Sequence, residues 1–179
     1  MQVHQAMYLF GIAVLGFACA TSSHSPSLAV RDTTNPSAEA TELVGTWRLV
    51  EFWDRDSVRT PKRYAYGEHP SGYFIYDPTG HVSIQIQQGP TPTTVARDRG
   101  EDWFQTSTPE ELRAAVRAYR AYFGTYTINR AEGVVIHQVE GDSRGLYTGS
   151  AQRRKFRLIG DSLIIGNDST ARRVLVRVR

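Results

Sequence analysis

The chain has 179 residues, of which 21 are Lys or Arg and 18 are Asp or Glu, and it contains one cysteine, Cys19. This length supports one domain with a sizeable core and is too short for two ordinary domains. The position of Cys19 excludes a disulfide framework, a thiolate zinc site and a cysteine nucleophile from residues 41–179. The net charge of +3 is small and spread along the chain, which argues against a nucleic-acid partner.

Residues 1–20 have the features of a signal peptide. The apolar run at residues 8–18 is shorter than the about 20 residues that span a bilayer, but it suits the apolar region of an export signal. Ala18 and Ala20 provide a small-x-small pattern for cleavage after Ala20. Residues 1–7 contain no Lys or Arg, which leaves a wrongly assigned start codon as the alternative. We expect an exported protein, either periplasmic or secreted.

Cys19 permits a second interpretation, a bacterial lipoprotein whose lipidated cysteine tethers the domain to a membrane. Ala18 fits the motif that precedes such a cysteine, whereas Gly16 and Phe17 fit it poorly, so we favour removal of Cys19 with the leader. Residues 21–40 are rich in Ser, Thr, Ala and Pro, contain no Phe, Trp or Tyr, and are predicted to be a flexible linker. Residues 41–179 form the folded domain.

After residue 41, apolar and polar residues alternate with the period of a β-strand. Strands are predicted at residues 43–53, 72–76, 81–87, 124–128, 134–140, 151–158, 162–165 and 173–178. Pro78 and Gly80 occupy the second and fourth positions of a turn, which predicts a hairpin between the second and third strands. About eight strands with short connections predict an all-β fold, either a sandwich or a closed up-and-down barrel.

One segment departs from the strand period. Thr108, Pro109 and Glu111 form a capping box with Pro at the first helical position, and apolar residues then recur at helical spacing as far as residue 123, before Gly124. The pattern predicts one amphipathic helix that covers an end or a flank of the barrel. Residues 88–107 are rich in Gly, Pro and Thr, and we expect this long loop to act as a lid or a binding element.

Gly45, Thr46 and Trp47 match the lipocalin-type G-x-W signature at the start of the first strand. Further matching segments follow in order at residues 70–76, 80–81, 108–111, 118–126, 133–140, 152–156 and 161–163. Together they resemble the lipocalin-like domain family, small calycin-type barrels of bacteria and fungi, over residues 42–179. The resemblance implies an antiparallel up-and-down lipocalin-like β-barrel with an internal cavity that binds a small hydrophobic molecule. It transfers no catalytic residues.

Strand alternation indicates which polar residues face the interior. Gln152, Arg154 and Phe156 share one face of their strand, and Arg153 lies on the other, so Arg154 is predicted to point into the barrel. A buried guanidinium needs partners. Arg154 could bind a ligand carboxylate or enolate, or it could close one barrel end over Trp47. The candidate ligand-binding residues are Arg154, His137, Gln152, Phe156 and Tyr126.

Two histidines are weak candidates for acid–base catalysis. His137 lies on a face with Val135 and Val139 and is expected to be at least half buried. His81 shares a polar face whose direction the pattern leaves open. Either histidine could instead be structural. With His69 as the third histidine of the domain and no metal-ligand spacing, we predict no metal and no cofactor.

Arginines of the last strands could form a basic stripe, and we favour a solubilising outer face over a lipid or nucleic-acid surface; they are Arg153, Arg157, Arg172, Arg173, Arg177 and Arg179.

The leading functional hypothesis is an exported barrel that binds a small hydrophobic or amphipathic molecule against walls formed by Val82, Ile84, Val135, Phe156 and Leu163. The alternatives are an isomerase, cyclase or lyase that uses the cavity for acid–base chemistry, and a structural envelope protein without a ligand.

Overall fold

The protein is described from a computed structural model that covers residues 42–90 and 100–179. Within these residues eight antiparallel strands form a closed barrel, in which each strand pairs with the next and the last returns to the first. The strands are β1 (Gly45–Asp54), β2 (Ser71–Tyr76), β3 (His81–Gln87), β4 (Tyr119–Asn129), β5 (Val134–Asp142), β6 (Ala151–Ile159), β7 (Ser162–Gly166) and β8 (Ala171–Arg177). The predicted up-and-down barrel is therefore confirmed.

The burial of side chains follows the alternation along the strands and confirms the predicted inner face of β6. In β3, Val82, Ile84 and Ile86 are buried, whereas His81 and Gln85 are exposed. In β6 the Arg154 face is partly buried and the Arg153 face is exposed. The interior is a single apolar cluster that also includes Trp47, Leu49, Phe74, Tyr76, Tyr126, Val135, Leu163 and Leu175.

One end of the barrel is closed by Trp47 and Arg177. The guanidinium of Arg177 lies 4.0 Å from the centre of the Trp47 ring and donates to the carbonyl oxygen of Val44 at 2.8 Å. Gly45 has φ +133°, and a Cβ there would lie 2.8 Å from an Arg177 nitrogen. The glycine of the G-x-W signature is thus needed for this backbone conformation and for the approach of Arg177.

The prediction that the C-terminal arginines form an outer face is wrong for two of them. Arg173 and Arg177 alternate with the fully buried Leu175, so both side chains point inward. Arg177 also takes the place over Trp47 that was considered for Arg154. The run of arginines obscured the alternation, because Arg172 and Arg173 are adjacent and face opposite sides.

A short 3-10 helix (Gly100–Asp102) and α1 (Trp103–Thr106) precede α2 (Pro109–Ala118), which begins with the predicted capping box. The helix ends at Ala118, five residues before the predicted end, because Tyr119 starts β4. From there the backbone pairs with the whole of β3, and these strand hydrogen bonds outweigh the apolar spacing that indicated a helix. Tyr122 is consequently a strand residue that points into the barrel.

Arg144, in the connection from β5 to β6, holds the end of α2. Its guanidinium donates to the carbonyl oxygens of Val116 at 3.1 Å and Tyr119 at 2.9 Å. These carbonyls lie at the helix C-terminus, where the helix itself provides no donors. Much of the loop predicted to act as a lid, together with the leader and linker, lies outside the described residues. Between residues 42 and 90 and from 100 onward, no helix has the length and apolar character needed to cross a bilayer.

We expect Arg177→Met to lower the free energy of unfolding by about 2 kcal/mol, because it removes the stacked cation and two hydrogen bonds to backbone carbonyls while keeping an apolar chain over Trp47. Urea unfolding followed by tryptophan fluorescence measures this change. Arg179→Met, at a largely exposed arginine on the same end, is the matched control. Equal effects of the two substitutions would contradict a role for Arg177 in closing the barrel.

Candidate ligand cavity

A cavity of about 180 Å³ lies inside the barrel, toward the end where β1, β3, β5 and β7 finish. We call this the cavity end, and the opposite end, closed by Trp47 and Arg177, the Trp47 end. The connection from β1 to β2 contributes Ala65 and Tyr66, and the connection from β5 to β6 contributes Tyr147. The remaining lining residues come from the strands and are Phe52, Asp54, Phe74, Ile84, Ile86, Arg120, Tyr122, His137, Arg154, Ile165 and Arg173.

One side of the cavity is apolar because β2, β3 and β7 present alternate aliphatic and aromatic residues to the interior. Phe74, Ile84, Ile86 and Ile165 are all buried. Phe52 packs edge-on against Tyr66, with ring centres 4.9 Å apart. These residues form a wall that can hold the hydrocarbon part of a ligand.

Two of the three arginines that line the cavity are paired with carboxylates. Arg173 holds Asp54 through two contacts, at 2.7 and 3.0 Å, and lies 4.0 Å from the centre of the Phe52 ring. Arg120 lies 3.3 Å from Asp142. Burial alone would raise the pKa of Asp142, but backbone donors, foremost the N–H of Tyr147, and the charge of Arg120 lower that pKa below its ordinary value. Asp142 is therefore ionised beside Arg120, and this pair is close to neutral overall.

Arg154 is the third cavity-lining arginine, and no carboxylate of the described residues lies within ion-pair distance of it. Its Nη2 donates to the side-chain oxygen of Gln152 at 2.9 Å. Gln152 in turn donates to Ser150 at 2.7 Å, and this orients its oxygen toward Arg154. The guanidinium carbon of Arg154 lies 5.9 Å from the centre of the Tyr147 ring. The cavity thus contains one partly buried cation without a counter-ion among these residues.

His137 lies at the base of the cavity between two tyrosines. The hydroxyl of Tyr76 lies 3.0 Å from Nε2, and the hydroxyl of Tyr122 lies 2.8 Å from Nδ1. All three side chains are buried, with His137 only 1% exposed. Both nitrogens of the imidazole are therefore occupied by hydroxyl groups.

Burial keeps this group of side chains uncharged. Burial, assisted by the charge of Arg154, lowers the pKa of His137 to about 3. Burial raises the pKa of Tyr122 to about 12, with the charge of Arg154 opposing the change, and it raises the pKa of Tyr76 well above its ordinary value. At neutral pH His137 is a neutral imidazole between two neutral phenols, and it is not available as a general base.

The structure places the sequence-predicted candidates in three groups. Arg154 and His137 line the cavity. Gln152 does not line it but positions Arg154, and Phe156 packs against the apolar core. Tyr126 and His81 lie elsewhere.

Tyr126 is buried toward the Trp47 end, and its hydroxyl donates to the backbone oxygen of Asp77 at 3.1 Å. His81 is exposed on the outer surface beside Thr79, so the structure does not bring it near His137. Its polar face, whose direction the sequence left open, is the outer one. His81 therefore does not line the cavity in this structure.

Sequence reasoning missed Tyr122, Arg120, Arg173 and Asp54 as cavity residues. Tyr122 and Arg120 fell within the segment interpreted as helix or at its end. Period-2 alternation from residue 118 to 128 was the signal that could have identified both. Among the residues that the structure describes, no group of three or more His, Cys, Asp or Glu side chains could hold a metal ion.

Two of three comparisons with known proteins found a match. The family model described as "Lipocalin-like domain" matches residues 44–174. Among solved structures, a crystal structure of a mutant of the fluorescent protein UnaG matches with 12% sequence identity and a TM-score of 0.31, covering 76% of this chain and 96% of that one. No curated protein matched the chain.

The low pKa of His137 predicts a loss of native stability in acid. Between pH 6.5 and about 3 the unfolded chain binds a proton at this position and the folded barrel does not, so stability falls as pH falls, by up to about 1.4 kcal/mol per pH unit. In His137→Gln, whose amide can still bond both tyrosines, this component is absent. We expect the stability difference between the native protein and the variant to shrink from pH 6.5 to 4 in urea titrations. A difference that stays constant over this range would contradict the interpretation.

Proposed function

The chain belongs to the lipocalin-like domain family, and from the contents of its barrel we propose that it binds a small amphipathic molecule in the cavity. The observation that carries the proposal is the combination of an apolar wall with one uncompensated cation, Arg154, in a single cavity. The apolar part of the ligand lies against Phe74, Ile84 and Ile165, and its polar end faces Arg154. An unpaired interior guanidinium is costly to a protein with no ligand to offset it.

The size of the cavity limits the ligand. Pockets for drug-sized molecules measure about 300–1,000 Å³. A cavity of about 150 Å³ can hold benzene. The cavity of about 180 Å³ therefore suits a molecule about the size of one substituted ring or an equally compact chain.

Binding is favoured over acid–base catalysis because the cavity lacks a free base among the described residues. His137 is neutral with both nitrogens occupied, and Asp54 is held by two contacts to Arg173. A structural protein without a ligand is the remaining alternative, and it predicts that no compact amphipathic molecule binds.

The binding test uses one carbon skeleton with four polar ends: phenylacetate, phenylacetamide, 2-phenylethanol and 2-phenylethylamine, each titrated by protein-observed NMR. We expect saturable binding of at least one compound, with shifts at the cavity end. Ala65→Trp adds a large ring at the cavity lining from a loop position and should weaken that binding at least tenfold.

Ala131→Trp is the matched control, since Ala131 is an exposed turn residue at the Trp47 end of the barrel. It should leave the affinity unchanged. Absence of saturable binding for all four compounds, or equal effects of the two tryptophans, would contradict the proposal.

We also propose that the domain is exported, which is supported by the apolar run at residues 8–18 and the small residues around Ala20. Mass spectrometry of the full chain expressed with an intact secretion pathway should detect an unmodified N-terminus at Thr21. An acylated N-terminus at Cys19 would instead support a membrane tether. An intact leader on protein that stays in the cytoplasm would contradict export.

A further inference from the structure

Tyr76, His137 and Tyr122 form a hydrogen-bonded chain that starts in the sealed interior and ends at the cavity. Tyr76 is 1% exposed and does not line the cavity, whereas Tyr122 does. The two hydroxyl–imidazole distances are 3.0 and 2.8 Å, so both links are hydrogen bonds of ordinary length. The chain therefore has a buried end and a cavity end.

Counting hydrogens shows that one hydroxyl hydrogen has no acceptor within the chain. A neutral imidazole has one N–H donor and one acceptor nitrogen. One tyrosine must donate to the acceptor nitrogen, and the other must accept from the N–H. The tyrosine that accepts keeps its own O–H for a partner outside the chain.

The surroundings of the two hydroxyl groups indicate which tyrosine accepts from the imidazole N–H. Tyr76 has no second hydrogen-bond partner among the residues that the structure describes, and an unused O–H there would be a buried, unsatisfied donor. At Tyr122 the same hydrogen can reach a group in the cavity. Tyr76 therefore donates to Nε2 of His137, and Nδ1–H donates to Tyr122, whose O–H is directed to the cavity.

We propose that the Tyr122 hydroxyl and the Arg154 guanidinium together bind the polar end of the ligand, and that this end is a carboxylate. This inference rests on the proposed binding function. Arg154 provides only donors and a positive charge, and the oxygen of Tyr122 already accepts from His137. A head group made of acceptors with a negative charge satisfies both residues, whereas an ammonium group satisfies neither.

In this arrangement Tyr76 and His137 are positioning residues for Tyr122. They fix the direction of its O–H before the ligand arrives, so the ligand does not have to order it. The two other arginines of the cavity are already held by Asp54 and Asp142. The carboxylate is therefore directed to Arg154 and Tyr122.

The first experiment needs no variant. ¹⁵N NMR of imidazole-labelled protein distinguishes a protonated from an unprotonated ring nitrogen, and we expect Nδ1 of His137 to be protonated and Nε2 to be unprotonated. Protonation at Nε2, or at both nitrogens near neutral pH, would overturn the inference.

The second experiment compares head groups on the same skeleton. Phenylacetate should bind at least tenfold more tightly than 2-phenylethylamine. Arg154→Met and Tyr122→Phe should each weaken phenylacetate binding about 10- to 100-fold, the range expected for losing a hydrogen bond to a charged group. Arg153→Met and Tyr126→Phe remove the same groups outside the cavity and should leave phenylacetate affinity within about threefold, a difference smaller than one hydrogen bond.

The two proposals fail in different ways. If no member of the series binds, the binding function itself is wrong. If members bind but the amine equals or exceeds the carboxylate, or if Tyr122→Phe has no more effect than Tyr126→Phe, binding stands and the carboxylate inference is overturned.

Discussion

Closure of the sheet between β1 and β8 is the constraint on which the rest of this structure depends. A closed barrel removes both sheet edges, and the number of strands fixes the diameter of its interior. Each inward side chain must then pack against the others or find a partner inside. Four polar side chains point inward because of their positions in their strands; they are Arg177, Arg173, Arg154 and His137. Each of them needs its own partners to compensate for the loss of contact with water.

The two ends of the barrel differ in the partners that they provide for these inward side chains. At the Trp47 end, Arg177 is satisfied by an aromatic face and two backbone carbonyls, and Tyr126 bonds the backbone of Asp77. Polar groups there are matched by the protein itself. At the cavity end Arg120 and Arg173 have carboxylate partners, but Arg154 has an amide oxygen and the cavity. Arg154 therefore has no carboxylate partner among the described residues, and it lies where a small molecule fits.

Much of the fold, and part of the candidate site, could be predicted from the residues. Alternation identified the strands and predicted that Arg154 points inward and that His137 is at least half buried, because a strand has a side-chain period of two. It did not identify their partners, which come from other strands: Tyr76 is 61 positions from His137 along the chain. Tyr122 was assigned to a helix because its neighbours also have helical spacing, and only pairing with β3 decides between the two periods.

The sequence by itself determined most of the strands and the inward face of β6, which follow from local periodicity, and the G-x-W motif together with the family resemblance indicated the barrel. Only the tertiary structure decided the charge balance of the interior. Whether an inward arginine is neutralised depends on carboxylates that the strand register brings within reach: Arg173 is paired with Phe52, and Asp54, two residues further along β1, lies close enough to hold it. Whether a histidine is a base depends on its burial and on both of its neighbours. These are properties of the closed barrel and not of any one strand.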